Sequence, residues 1–184
     1  LVIIAGAELF TGNAFVLYNG WRSKTVTLTD VIRLWVVCYL GNWFGAIVLS
    51  LLFYGAAGTA GGVGQALANA AAMKMSLPPL VLFLKGILCN VLVCLAVWCG
   101  FRCKSDSGKL IMVFWCLYAF FTCGFEHSVA NMTVLTLGLL NPAGTAVSVG
   151  GYLYNLFMVT LGNIVGAVLF LSIPYGIAAK KIGD

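Results

Sequence analysis

His127 is the only histidine among the 184 residues, and it stands in a run of mixed chemistry, Gly124-Phe125-Glu126-His127-Ser128-Val129-Ala130-Asn131. An imidazole can give, take or hydrogen-bond a proton near neutral pH, and the glutamate, serine and asparagine around it add donors and acceptors. These residues interrupt an otherwise apolar stretch from Leu110 to Leu140. Roughly 20 apolar residues cross the hydrocarbon core of a bilayer, so the centre of this stretch falls at membrane depth. Ionisable groups there are costly, nearly always face a bundle interior or a wet cavity, and mark paths for ions, protons or substrates. In a soluble domain a lone histidine is more simply a core residue satisfied by a neighbouring carbonyl. In the middle of a transmembrane span the functional reading takes precedence. No Ser-His-Asp triad and no metal-ligand set can be assembled around a single histidine, so a metal or other cofactor is not expected.

The elements that carry this stretch belong to a membrane. The chain is 62% hydrophobic and 8% charged, with a mean hydropathy of +1.05. A soluble domain carries roughly 25% charged residues. The net charge of +5 gathers between the apolar segments, which makes it a topology signal and not a nucleic-acid patch. The seven cysteines lie mostly within apolar segments. Cys89, Cys94 and Cys99 turn about 140° per step on a helix, which suits small apolar fillers better than a disulfide frame or a metal site. The glycine-rich stretch Gly58 to Gly64 does not complete G-x-G-x-x-G, because Leu67 holds the last position.

In order along the chain, Leu1 to Tyr18 is apolar but broken by Gly6-Ala7-Glu8-Leu9-Phe10-Thr11-Gly12-Asn13, and a polar loop follows at Asn19 to Asp30. Leu34 to Tyr54 is a span, Gly55 to Ser76 a Gly/Ala-rich connector, and Leu77 to Gly100 the next span, with Lys85 within snorkelling reach of an interface. Phe101 to Lys109 is polar. After the interrupted stretch, Asn141 to Gly151 is a turn-rich loop and Tyr152 to Ile177 the last span, ending at Lys180-Lys181. Basic residues mark alternate loops, which predicts that 19–30, 101–109 and the C-terminus are cytoplasmic and that 55–76 and 141–151 face outward.

Two motifs recur in the same order. Gly6-x-Glu8-x-x-x-x-Asn13 returns as Gly124-x-Glu126-x-x-x-x-Asn131, and Gly41-Asn42-Trp43-Phe44-Gly45-Ala46 returns as Gly162-Asn163-Ile164-Val165-Gly166-Ala167. The chain therefore reads as a single transmembrane domain of two repeats, 1–76 and 77–184. The helix 77–100 has no counterpart in the first copy, so the unit has three spans, one span precedes Leu1, and the second copy inserts inverted. The expected fold is an all-α membrane protein, a 3+3 inverted repeat with two broken helices that meet near the membrane midplane. Glu8 and Glu126 are the expected acceptors for the N–H groups freed at the breaks, with Asn13 and Asn131 donating and accepting beside them. His127 takes the place that Leu9 holds in the first copy.

Leu9-Phe10-Thr11-Gly12-Asn13, Gly86-Ile87-Leu88-Cys89-Asn90 with Val93-Cys94-Leu95-Ala96, and Gly124 to Asn131 resemble the formate/nitrite transporter family, and the resemblance runs the length of the chain. It implies an aquaporin-like six-helix protomer in a homopentamer, with the first helix outside this sequence, in the inner membrane of a bacterium. It implies passage of small monovalent weak-acid anions, formate, nitrite or hydrosulfide, with or without protons. His127 then matches the central histidine, Thr11 the threonine of the first break, Lys74 the vestibule lysine and Asn90 the fourth-helix asparagine. Leu9, Phe10 and Phe120 match apolar constriction residues. At an apolar constriction an anion costs several kcal/mol, and a histidine that protonates or hydrogen-bonds it lowers that barrier. Two other readings compete. The same repeat suits an aquaporin-like pore for small neutral solutes, although Asn141-Pro142-Ala143 occurs only once. The cysteines would serve a membrane thiol oxidoreductase.

Overall fold

The computed structural model describes residues 2–56 and 62–182, with side-chain surroundings given as far as residue 178. Leu1, most of the Gly58 to Gly64 stretch and the Lys180-Lys181 side chains lie outside this description. All regular structure among the described residues is helical: α1 Val2–Ala5, α2 Phe10–Arg22, α3 Leu28–Ala56, α4 Gly62–Ser76, α5 Pro79–Arg102, α6 Asp106–Thr122, α7 Ser128–Leu140, α8 Val149–Val165 and α9 Ile173–Ile182. A π-helical segment, Gly166–Ser172, joins α8 to α9. Three helical stretches, Leu28–Ala56, Pro79–Arg102 and Val149–Ala178, are long and apolar enough to cross a membrane, and Ser128–Leu140 is a shorter apolar helix.

Local chemistry sets several of the boundaries. Pro79 sits in the first turn of α5, where its missing N–H costs nothing. Ser105 and Ser148 cap α6 and α8, accepting from Gly108 N–H at 3.1 Å and Gly151 N–H at 3.0 Å. The loop expected over 19–30 shrinks, because α2 continues to Arg22 and α3 starts at Leu28. The connector expected over 55–76 is corrected as well: its second half is α4. Ala, Leu and Met there are strong helix formers, and Ala68, Ala71 and Met75 are buried where α4 meets α7 and α8.

Helix α5 is the central strut, packing along α8 on one side and α6 on another. Glycines bring α5 into backbone contact with α8 and with the π segment that follows it. A Cβ on Gly86 would lie 2.9 Å from the Val159 carbonyl oxygen, and one on Gly166 would lie 2.5 Å from that of Ile87. Small residues at such crossings let membrane helices associate through close packing where water supplies no hydrophobic drive. One apolar core joins α3, α4, α7 and α8 through Ala46, Ala71, Met75, Met132, Leu135, Tyr152 and Leu156. A second joins α2, α5 and the π segment through Ala14, Phe15, Cys94, Val97, Ala167 and Leu171. Cys89 and Cys94 are fully buried, as fillers should be, whereas Cys123 is exposed; all seven cysteines are free thiols.

Candidate functional site

Two turns carry the residues singled out in the sequence. Between α1 and α2 the helix is interrupted at Gly6, whose φ of +71° lies in the left-handed region that favours glycine, and Gly124 repeats this with φ +61° between α6 and α7. Each turn ends in an extended residue that immediately precedes a helix: Leu9 (φ −130°, ψ 120°) before α2 and His127 (φ −111°, ψ 116°) before α7.

An asparagine from another helix holds each turn. Asn42 of α3 accepts from Phe10 N–H at 2.9 Å and donates to the Glu8 carbonyl at 3.0 Å. Asn163 of α8 accepts from Ser128 N–H at 2.9 Å and donates to the Glu126 carbonyl at 3.0 Å. Each side-chain amide thus brackets one residue, Leu9 in the first case and His127 in the second. Of the N–H groups expected to pair with Glu8 and Glu126, Phe10 N–H and Ser128 N–H go to these two amides instead. The carboxylates accept from asparagine side chains: Asn13 Nδ2 reaches Glu8 Oε2 at 2.5 Å, and Asn131 Nδ2 reaches Glu126 Oε2 at 2.6 Å. Sequence reasoning assigned no role to Asn42 or Asn163, although the repeated Gly-Asn-x-x-Gly-Ala was the signal that could have found them. It also missed Asn155, which accepts from Asn131 at 2.9 Å and donates to the Lys74 carbonyl at 2.9 Å.

The two turns meet at one hydrogen bond. Thr11 Oγ1 and His127 Nε2 are 2.9 Å apart and buried. His127 Nδ1 accepts from Ala130 N–H at 3.0 Å, so the ring caps α7. Because a backbone N–H can only donate, the neutral imidazole carries its proton on Nε2 and donates it to Thr11 Oγ1. The threonine hydroxyl hydrogen is then left for a third group.

Asn90 stands behind Thr11. Its Nδ2 donates to the Thr11 carbonyl at 3.1 Å and the Asn163 carbonyl at 2.7 Å, which fixes the orientation of the amide. Its Oδ1 and the hydroxyl of Ser128 are buried without a partner among the described residues. Phe120 stacks on the imidazole with centroids 5.9 Å apart and 19° between planes, and it shares a cluster with Cys89, Val93, Leu9 and Phe125. Phe10 lies edge-on to Trp35 and Tyr39 of α3. Lys74 Nζ lies 2.9 Å from both carboxylate oxygens of Glu126, an ion pair with side-chain exposures of 18% and 3%. Lys85 enters the site through its backbone alone, accepting from Glu126 N–H at 3.3 Å.

Comparison with known proteins places this arrangement. The family model described as formate/nitrite transporter matches residues 1–177. The nitrite transporter NirC of Salmonella typhimurium is 38% identical over 182 residues, covering 98% of this chain and 67% of that protein. The formate channel FocA of Haemophilus influenzae is 31% identical over 193 residues, covering 94% and 68%. Among solved structures, one described as an FNT family ion channel superposes with a TM-score of 0.91 at 38% identity, over 97% of this chain and 72% of that one. A pentameric formate channel with formate bound gives a TM-score of 0.84 at 28% identity, over 97% and 77%.

Proposed function

The chain belongs to the formate/nitrite transporter family, and we propose that it conducts small monovalent anions of weak acids, formate, nitrite or hydrosulfide, as a channel or with a proton. The observation that carries this reading is the buried Thr11–His127 hydrogen bond at the N-termini of α2 and α7. Helix N-termini carry the equivalent of about half a positive charge and favour anions. An anion arriving there accepts the free hydroxyl hydrogen of Thr11, which donation from His127 Nε2 makes more acidic. Protonating the anion instead requires an imidazolium, whose Nδ1–H would oppose Ala130 N–H and give up the helix cap. The geometry therefore supports hydrogen bonding in preference to full protonation. Apolar side chains around the ring, Phe120 and Leu9 foremost, keep the site poor in water, which makes each hydrogen bond count for more. Lys74 and Glu126 neutralise one another, so Lys74 draws anions inward only as that pair opens.

The reading extends to architecture. The matched clamps, glycines and extended residues support a 3+3 inverted repeat whose two interrupted spans meet at the membrane midplane. The relative solved as a pentamer supports a homopentamer, the charge pattern a cytoplasmic C-terminus, and the bacterial relatives a bacterial inner membrane.

The test is flux into proteoliposomes loaded with a pH dye, with protein whose mass in detergent equals five chains. Formate and nitrite should enter faster than glycerol. His127→Phe should cut anion entry at least tenfold and flatten its dependence on pH. Glycerol entry exceeding formate entry would establish the neutral-solute pore instead, and unchanged anion flux in the phenylalanine variant would remove the histidine from the mechanism.

A further inference from the structure

The two asparagine clamps are alike in geometry and unlike in what they hold. Asn42 and Asn163 each take the N–H after the bracketed residue and the carbonyl before it, at 2.9 and 3.0 Å in both cases. Asn163 does more. Its Nδ2 also donates to the Gly86 carbonyl at 2.8 Å, and its own carbonyl accepts from Asn90 Nδ2 at 2.7 Å. Asn90 reaches on to the Thr11 carbonyl at 3.1 Å. A closed circuit results, running from the Thr11 hydroxyl to His127, through the His127 backbone to Asn163, then through Asn90 back to Thr11. Asn90 and Asn163 are both fully buried, so no exchange with bulk water weakens the circuit.

We infer that Asn163 is a positioning residue for His127: by fixing the backbone on both sides of it, Asn163 holds Nδ1 over Ala130 N–H and so selects the tautomer with its proton on Nε2. This rests on the reading of His127 as the central group of the pathway. Removing the Asn163 amide frees Glu126 O and Ser128 N together, so the extended conformation of His127 is no longer imposed from outside its own loop. The ring can then leave Ala130 N–H, and both tautomers become accessible. Asn42 supplies the internal control, because it performs the same backbone task around a leucine and touches neither His127 nor its cap.

The described sequence holds one histidine, so ¹⁵N-labelled histidine reports on this ring wherever the full chain adds no other. In the full-length protein reconstituted in lipid, solid-state NMR should show one protonated Nε2 and one unprotonated, hydrogen-bonded Nδ1. Asn163→Ala should split or broaden that pair of signals and lower formate flux about tenfold, within the range typical of residues that orient a functional side chain. Asn42→Ala should leave the pair unchanged, whatever it does to assembly or flux. If Asn163→Ala does not assemble, Asn163→Asp carries the same readout, since its carboxylate has no N–H for the Glu126 carbonyl and so releases one side of the clamp. The inference is overturned if Asn163→Ala, or Asn163→Asp in its place, retains the single wild-type pair of signals, or if Asn42→Ala disturbs them equally. A tautomer change without loss of flux would uphold the positioning and overturn the role of His127 in transport.

Discussion

At the residue scale, two side chains 116 positions apart, Thr11 and His127, share one buried hydrogen bond. Thr11→Val keeps the shape of the side chain and removes the acceptor, leaving His127 Nε2–H buried and unpaired at a cost of about 1–3 kcal/mol. Formate flux in proteoliposomes should fall about tenfold or more, while Thr11→Ser, which keeps the hydroxyl, should retain most of it. The Lys74–Glu126 pair permits a different test. Removing one partner strands a buried charge, whereas removing both leaves none, so Lys74→Met should lower stability by up to about 3 kcal/mol and the Lys74→Met/Glu126→Gln double variant by less. Thermal unfolding of the assembled protein in detergent measures both. That His127 must be buried among polar partners was legible in the sequence, because a lone ionisable group in an apolar run costs too much to leave unsatisfied. Its tautomer was not, because that depends on an N–H three residues on and a hydroxyl from another helix. Phe10 shows the same limit: only the packing of α2 on α3 turns its ring edge-on to Trp35 and Tyr39.

At the scale of elements, the α5–α8 crossing and the interrupted stretches depend on each other, since Gly86 and Asn163 touch at that crossing. A side chain at Gly162 would press on the Phe83 carbonyl and on Gly86, with main chain on both sides and nothing flexible to yield. Gly162→Val should therefore separate the helices and cost about 1–3 kcal/mol or more through overpacking. It should reduce the yield of assembled protein on size exclusion far more than Ser148→Ala, which loses only a helix cap worth about 1 kcal/mol. The long spans were readable from hydropathy alone. Helix α4 was not, because its alanines and glycines carry too little hydrophobicity to announce a helix, and its stability comes from burial against α7 and α8. The π segment was equally silent. It spans Gly166–Ser172, and at its end Arg22 donates to the Ser172 carbonyl at 3.2 Å and Asn19 donates to the Ser172 hydroxyl at 3.1 Å.

For the whole molecule, the predicted sidedness can be measured directly. In a cysteine-free background, cysteines introduced at Ser23 and Ser107 should react with a membrane-impermeant maleimide only from the cytoplasmic side, and one at Ala146 only from outside. Labelling of all three from one side would overturn the topology. Transport by the same background would dismiss thiol redox chemistry. Large apolar side chains of α3 and α6, among them Phe44, Leu52, Phe114 and Trp115, are exposed on the isolated chain, a surface suited to lipid or to neighbouring subunits. By itself the sequence determined that the chain lives in a bilayer, which stretches are too polar for their surroundings, and which motifs occur twice. Those properties follow from transfer free energies and spacing, which are local. The tertiary structure alone decided how the polar groups are satisfied. The carboxylates of Glu8 and Glu126 accept from Asn13 and Asn131 in the helices that follow, Phe10 N–H and Ser128 N–H pair with Asn42 and Asn163 from distant helices, and Asn90 joins Thr11 to Asn163. A hydrogen bond at membrane depth needs its partner within about 3 Å, and which partners come that close is settled by helix packing.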